Sequence, residues 1–335
     1  MLPPPPSKNR CLNFFKGIAC IGVVFIHYRF PEPVGNVVLK LSSFAVPFFL
    51  MIAGFYAFDR DNNTIKRRLL KIIKYYLIAY IFYFFWRFGI ALIKSEGYNW
   101  LSNYNYKTPI NLILFCSSKP IPEHLWYLIA MAEIYILFFL LKKTELSKKP
   151  PILPLIATLF ILKAILSSIC NSYNFPYIYN YNVIISGALP YFLTGFYIHS
   201  KKQTIKLNNN ILITVLLLSS STLFIPQITF GNINFKSLLT MFYPISIFLF
   251  GIINKENYFI KPLEYIGEHL SLNIYIFHIF ISEAIYGIFK YTAPSYTQSI
   301  IFHWSNPILV ALGSILFAYV INKIGKRSKI HNKEH

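Results

Sequence analysis

Apolar runs of roughly 18 or more residues recur along this chain from Leu12 to Ile321, each long enough to cross a bilayer core as a helix. Ten such spans fall at roughly 12–30, 37–58, 69–93, 123–141, 152–170, 182–199, 210–226, 236–253, 269–289 and 304–323. Charged residues occupy 13% of the 335 positions, about half the share a soluble domain carries, while hydrophobic residues occupy 55%. The expected fold class is all-α: a polytopic membrane protein of about ten transmembrane helices. It reads as a single integral-membrane domain over 1–335 with no appended soluble domain.

A formal net charge of +20 raises the question of a nucleic-acid partner, and the distribution of the charge answers it. With the N-terminus inside, 23 of the 32 Lys and Arg fall on the cytoplasmic side, in the N-terminal region, "RDNNTIKRRLLKIIK", "KKTELSKK", "KKQTIK", "NKENYFIK" and the C-terminal "KIGKRSKIHNK". Seven fall outside: Arg29, Lys40, Lys94, Lys107, Lys119, Lys236 and Lys290. This is the positive-inside bias of a multi-pass protein with both termini cytoplasmic. The basic balance is therefore a topology signal; membrane lipid is the expected surrounding and nucleic acid is not a partner.

The four cysteines, Cys11, Cys20, Cys116 and Cys170, form no CxxC pair and no metal-ligand spacing, so they read as small apolar core residues and no metal is expected. "MLPPPPSKNR" is followed by no small-residue cleavage site after the first span, which predicts a retained first helix. One weak internal echo exists: "VPFFLMIAGFY" (46–56) and "LPYFLTGFY" (189–197) share a Pro, an aromatic pair and a Gly-Phe-Tyr close. It is too weak to define a repeat. No HExxH, Walker A or GxGxxG occurs, and "HYRFPE" only approaches a His-x4-Asp pattern.

Ionisable groups within spans are expensive and default to functional candidates. Here they are Lys16, His27, Arg87, Glu133, Lys163, His278 and Glu283. Arg87, Glu133 and Lys163 read first as structural partners for one another or for backbone carbonyls, and Glu283, near the outer third of its span, is within reach of water. Lys16 and His27 are more informative. Eleven residues turn a helix by about 1100°, three turns plus some 20°, so both side chains share one face about 16 Å apart along the axis. Lys16 snorkels to the cytoplasmic headgroups while His27 lies well across the bilayer. Glu32, in the following loop, is a candidate to orient His27.

"NFFKGIACIGVVFIHYRF" resembles the first helix of the acyltransferase-3 family of bacterial membrane O-acyltransferases, in which an Arg or Lys precedes a His by eleven positions. Other pieces are similar to that family in order. "FAVPFFLMIAGFYAF" resembles its second helix, with Ala53 in place of the usual Ser before Gly54. "KRRLLKIIKYYL" resembles its Arg-x-x-Arg segment, here Arg68 and Lys71, so the second two-pronged fork becomes a point charge. "HLWYL", "LPYFLTGFY" and "SLNIYIFH" resemble the fourth-, sixth- and ninth-span signatures, and the likeness covers nearly the whole chain.

The resemblance implies transfer of an acyl group from cytoplasmic acyl-CoA to a hydroxyl of an extracytoplasmic glycan or lipid-linked saccharide in a bacterial cytoplasmic membrane. Acetyl is the first expectation, with succinyl as the alternative. Acyl-CoA is a donor substrate and no cofactor is permanently bound. His27 is the expected catalytic base, because an alcohol attacks a thioester well only as its proton leaves. An acyl-imidazole relay through the same residue is equally compatible with the sequence. Lys16, Arg68 and Lys71 are the expected acyl-CoA-binding cations, placed where an anionic cytoplasmic donor needs them. His124, Trp126 and His278 are candidate acceptor-site lining, and a separate glycan-assembly partner is a further expectation. The competing class is a transporter or flippase of a polysaccharide or lipid-linked glycan. Against it, no pair of Gly/Pro-broken spans occupies matching positions in two halves.

Overall fold

The computed structural model describes residues 9–105, 108, 110–112, 116–117, 119–141, 152–173, 187–205, 207–226, 229–230, 233–255 and 260–331. Lys107, the "KKTELSKK" loop and residues 182–186 of the sixth expected span lie outside the described residues. The helices in chain order are α1 (Arg10–His27), α2 (Val34–Ser42), α3 (Ala45–Ala57), α4 (Asn62–Ile93), α5 (Gly97–Leu101), α6 (Trp126–Leu141), α7 (Ile152–Tyr173), α8 (Leu189–Lys201), α9 (Asn209–Ser221), α10 (Phe235–Thr240), α11 (Phe242–Ile253), α12 (Lys261–Tyr265), α13 (Ser271–Thr292), α14 (Pro294–Thr297) and α15 (Ile300–His331). A π-turn, Ile266–Leu270, joins α12 to α13. A minimal antiparallel hairpin, β1 (Thr229–Phe230) with β2 (Ile233–Asn234), sets Thr229 opposite Asn234.

Among the described residues seven helical stretches are long and apolar enough to cross a membrane: Arg10–His27, Val34–Ala57, Asn62–Ile93, Glu123–Leu140, Lys236–Ile253, Lys261–Thr292 and Ile300–Lys326. The expectation of about ten is thus met at seven positions on this criterion. The three other expected spans lie on α7, α8 and α9, and the fifth and sixth spans adjoin residues outside the described set. α8 and α9 have 13 residues each, about 20 Å of helix against a core of about 30 Å. α7 has 22 residues, about 33 Å of helix, long enough for a crossing, and Ile152–Leu166 is its apolar stretch among the residues whose side chains are described.

The chain forms two compact units. The first comprises Met1–Phe49, Leu207–Phe224 and Thr240–His335. Its axis is α1, which packs against α2, α11, α12, α13 and α15. The Asn9 side chain caps α1, with Oδ1 accepting from the Leu12 amide at 2.8 Å and Nδ2 donating to the Gly251 carbonyl at 3.1 Å. Arg10 grips the buried Glu264 carboxylate through Nε at 3.2 and 3.1 Å and through a second nitrogen at 3.1 Å. At the other end the Tyr28 amide bonds the Val24 carbonyl, and Pro31 and Pro33 keep the helix from continuing.

Between these ends α1 lies backbone-to-backbone on the π-turn. A Cβ at Gly267 would stand 2.6 Å from the Gly17 amide nitrogen and 2.8 Å from the Lys16 Cβ. One at Gly17 would run into the Leu263 carbonyl. Cys20 and Val24 extend this contact into a core with Ile266, Leu270, Ile274, Val310 and Ala311. Cys11 and Cys20 are buried and free, as small core residues would be.

The second unit comprises Leu50–Lys206 and Ile225–Leu239. In it α4 packs on α5 and α6, and α7 on α8. The two echoing segments meet here. A Cβ at Gly54 would collide with the Phe192 carbonyl, and one at Gly195 with the Met51 carbonyl. The echo therefore records a reciprocal close packing of two helix faces, each using glycine where the other presents backbone.

Candidate functional site

His27 is the last residue of α1 and is exposed. Its ring lies 5.1 Å from that of His278, tilted by 42°. His278 sits on α13 and is fully buried. Its Nδ1 lies 2.8 Å from the Tyr275 carbonyl and 3.1 Å from the Ile274 carbonyl. Two carbonyl acceptors require a donor, so Nδ1 carries the proton and Nε2 is the acceptor nitrogen. An open imidazole thus stands against a second imidazole whose tautomer and orientation the helix backbone fixes. Glu32, expected as an orienting group, accepts from the Asn36 amide at 3.3 Å and so caps the start of α2.

Toward the start of α1, Lys16 is half-buried and faces the π-turn, with Cys20 and Glu268 as its electrostatic neighbours. His269 pairs with Glu268 at 3.6 Å and its ring lies 4.9 Å from that of Tyr265. Single π-turns within helices concentrate at functional sites because they re-aim side chains at the cost of regular bonding. Glu264 and Glu268 escape a reading of the sequence that starts its ninth span at 269; the signal was the pair of acids four residues apart immediately before it.

In the second unit Arg68 is half-buried and donates through a terminal nitrogen to the Tyr56 carbonyl at 2.8 Å, beside the Tyr135 hydroxyl. His199, which the sequence reading passed over, does the same one residue earlier. Its Nδ1 lies 2.6 Å from the Phe55 carbonyl, and the Lys202 ammonium lies 2.9 Å from its Nε2. Its ring stacks on Phe58 at 5.0 Å. Two basic side chains thus meet the last carbonyls of α3, where the helix dipole favours positive charge. Lys71 is exposed, with its ammonium 5.8 Å from the Tyr75 ring centre.

His124 is buried in the turn before α6, edge-on to the buried Tyr83 at 5.3 Å. Trp126 opens α6, half-buried beside Tyr127. Of the other ionisable groups, Lys163 lies 5.0 Å over the Tyr191 ring, and Glu133 neighbours Cys116. Among the described residues no three His, Cys, Asp or Glu side chains converge as a metal site. Structure thus joins His27 to His278 within the first unit and sets Lys16 against the π-turn. It also puts Arg68 on a helix terminus.

One curated relative, a serine/alanine racemase from Enterococcus gallinarum, is 29% identical over 136 residues, which are 37% of this chain. The matched stretch spans 18% of that protein, so the chain covers less than a fifth of its relative's length. No solved structure matches the chain. The model of one family, described as an acyltransferase domain, matches residues 9–323. With that match over nearly its whole length, and with seven helical stretches long and apolar enough to cross a membrane among its described residues, the chain belongs to the acyltransferase-3 family.

Proposed function

We propose that the protein is an O-acyltransferase that moves an acyl group, acetyl in the first instance, from cytoplasmic acyl-CoA to a hydroxyl of an extracytoplasmic glycan. The observation that carries the reading is α1 itself. It is a membrane-length helix with a half-buried lysine near its start and an exposed histidine at its end, on one face. The charge bias supports both termini on the cytoplasmic side of a bacterial cytoplasmic membrane, which sets Lys16 toward the donor and His27 toward the acceptor. Lys16, Arg68 and Lys71 are the cations this reading assigns to the anionic donor. The racemase name carries no activity to this chain, given how little of that protein is matched.

In the transfer, His27 accepts the proton of the acceptor hydroxyl as its oxygen attacks the thioester carbonyl carbon. The C–S bond breaks, the imidazolium returns the proton to the departing thiolate, and CoA leaves as the thiol. A base so positioned supplies about 10²–10⁴-fold. His278 acts through His27: its ring, held by the Tyr275 and Ile274 carbonyls and packed 5.1 Å from that of His27, keeps the base in place. His27→Ala should abolish acyl transfer to surface glycan, read by mass spectrometry, with unchanged protein abundance in the membrane. His278→Ala should lower turnover while leaving some activity. Normal acylation in His27→Ala cells would end the assignment.

A further inference from the structure

We propose that the cleft between α4 and the segment following it is the docking site for a neutral, hydroxyl-rich sugar ring. This rests on the transfer reading above for the sugar's role as acceptor; the observations behind the cleft are independent of it. After α4 the chain turns back along that helix. Trp100 packs on Phe84 and Phe88 at 5.6 and 6.1 Å, and Tyr104 packs on Phe84 at 5.6 Å. The cleft they lead to reaches Tyr80, about 20 Å along the axis from Ile93 at 1.5 Å per residue. α4 is one of the membrane-crossing stretches, so irregular backbone is brought to membrane depth. Such backbone is tolerated only where protein buries it or where it lines a watery cavity.

The cavity has a volume of about 330 Å³ and is lined by Tyr80, Tyr104, Asn105, Thr108, Ser117 and Lys119, with Leu112 as the aliphatic contribution. This is within the range of small-molecule sites and suits one sugar ring. Two tyrosine rings offer flat apolar faces for the C–H side of a pyranose. The amide and hydroxyl groups both donate and accept, as sugar hydroxyls require. The Thr108 hydroxyl accepts from the Asn105 backbone N–H at 3.2 Å, so its own O–H remains a donor. Tyr76, with its ring 5.8 Å from that of Tyr80, carries a buried hydroxyl that has no hydrogen-bond partner among the described residues.

The charge balance selects among saccharides. Lys119 is the one cation among the described lining residues, and Glu123 answers it at 3.1 Å on the exposed rim. A nucleotide or an acidic sugar would need a cation still in want of a partner. Along α4, Tyr80 lies about 9 Å from Lys74 and about 20 Å from Ile93, so the cleft opens on the middle of the crossing and not at either end.

The test is saturation-transfer difference NMR on the full-length protein in a sugar-free detergent. The probes are the neutral methyl glucoside, galactoside and mannoside, with glucuronate as the acidic counterpart. At least one neutral glycoside should receive saturation, with affinity about tenfold weaker in the Thr108→Val/Ser117→Ala double variant, which keeps side-chain size while removing two hydroxyls. Tyr80→Ala should lose the signal. An unchanged elution profile for the double variant separates lost contacts from lost folding. No neutral glycoside signal, equal signals in all variants, or a signal from glucuronate alone would overturn the assignment. Loss of acyl transfer in His27→Ala together with no saccharide signal sinks the cleft alone. A saccharide signal together with full activity in His27→Ala sinks the transfer reading alone.

Discussion

Replacing Gly267 or Gly17 by alanine tests whether the close seat of α1 on the π-turn sets the geometry of the site. The new methyl at Gly267 meets the Gly17 nitrogen at 2.6 Å and the Lys16 Cβ at 2.8 Å; at Gly17 it meets the Leu263 carbonyl carbon at 2.9 Å. Carbon atoms rest about 3.5–4.0 Å apart, so the two elements must separate by about 1 Å. Overpacking of that kind costs about 1–3 kcal/mol. At about 2–4 °C per kcal/mol for a large chain, melting should fall by about 2–12 °C in fluorescence-detected size-exclusion measurements. Activity should suffer more, since a 1 Å displacement far from the chemistry is worth about 100-fold. Gly89 on α4 and Gly287 on α13 supply the control, because nothing lies within 4 Å of an added Cβ. Alanine there should be neutral or gain up to about 1 kcal/mol of helix propensity. A Gly267→Ala protein that melts and works like the parent would refute the reasoning.

Other outcomes follow from the same contacts. Arg10→Ala strands the buried Glu264 carboxylate and should cost about 3 kcal/mol in thermal unfolding. Arg10→Met with Glu264→Leu should recover most of it, and no recovery would mean the pair does more than neutralise charge. Arg68→Ala should raise the acyl-CoA KM and also lower stability by about 1.5–3 kcal/mol, because the Tyr56 carbonyl loses a charged donor, whereas Lys71→Ala should change KM alone. Equal stability of the two variants would count against the helix-end contact. Cysteines placed at 16 and 27 in a cysteine-free background should label from opposite compartments with membrane-impermeant maleimide; labelling from the same side would remove the topology on which donor and acceptor are assigned.

The membrane class was legible because a bilayer imposes length and apolarity on every crossing segment, and such stretches survive any detail of packing. The number of crossings was less so: the apolar run read as a span at 210–226 carries a helix, α9, of only 13 residues, short of a full crossing. Lys16, His27 and His278 stood out as ionisable groups in apolar runs. That His278 would lie 5.1 Å from His27 did not, since no spacing rule joins residues on two distant helices. Glu268 and His199 were missed for a related reason. Their meaning comes from a π-turn and a helix terminus whose positions are fixed by tertiary contacts. The echo between 46–56 and 189–197 was visible as letters, but its sense, glycine set against carbonyl in both directions, exists only once the helices cross.

α1 is uninterrupted from Arg10 to His27 and is anchored at its first turn by Glu264 and the Gly251 carbonyl. The direction in which His27 points is therefore settled by counting. One residue inserted or deleted between Gly17 and His27 swings the imidazole by about 100° around the rod, off its companion on α13, however apolar the newcomer. Lipid-facing positions of this helix are free to drift among greasy side chains; its tally of residues is not, and the segment behaves as a key whose teeth are cut by arithmetic.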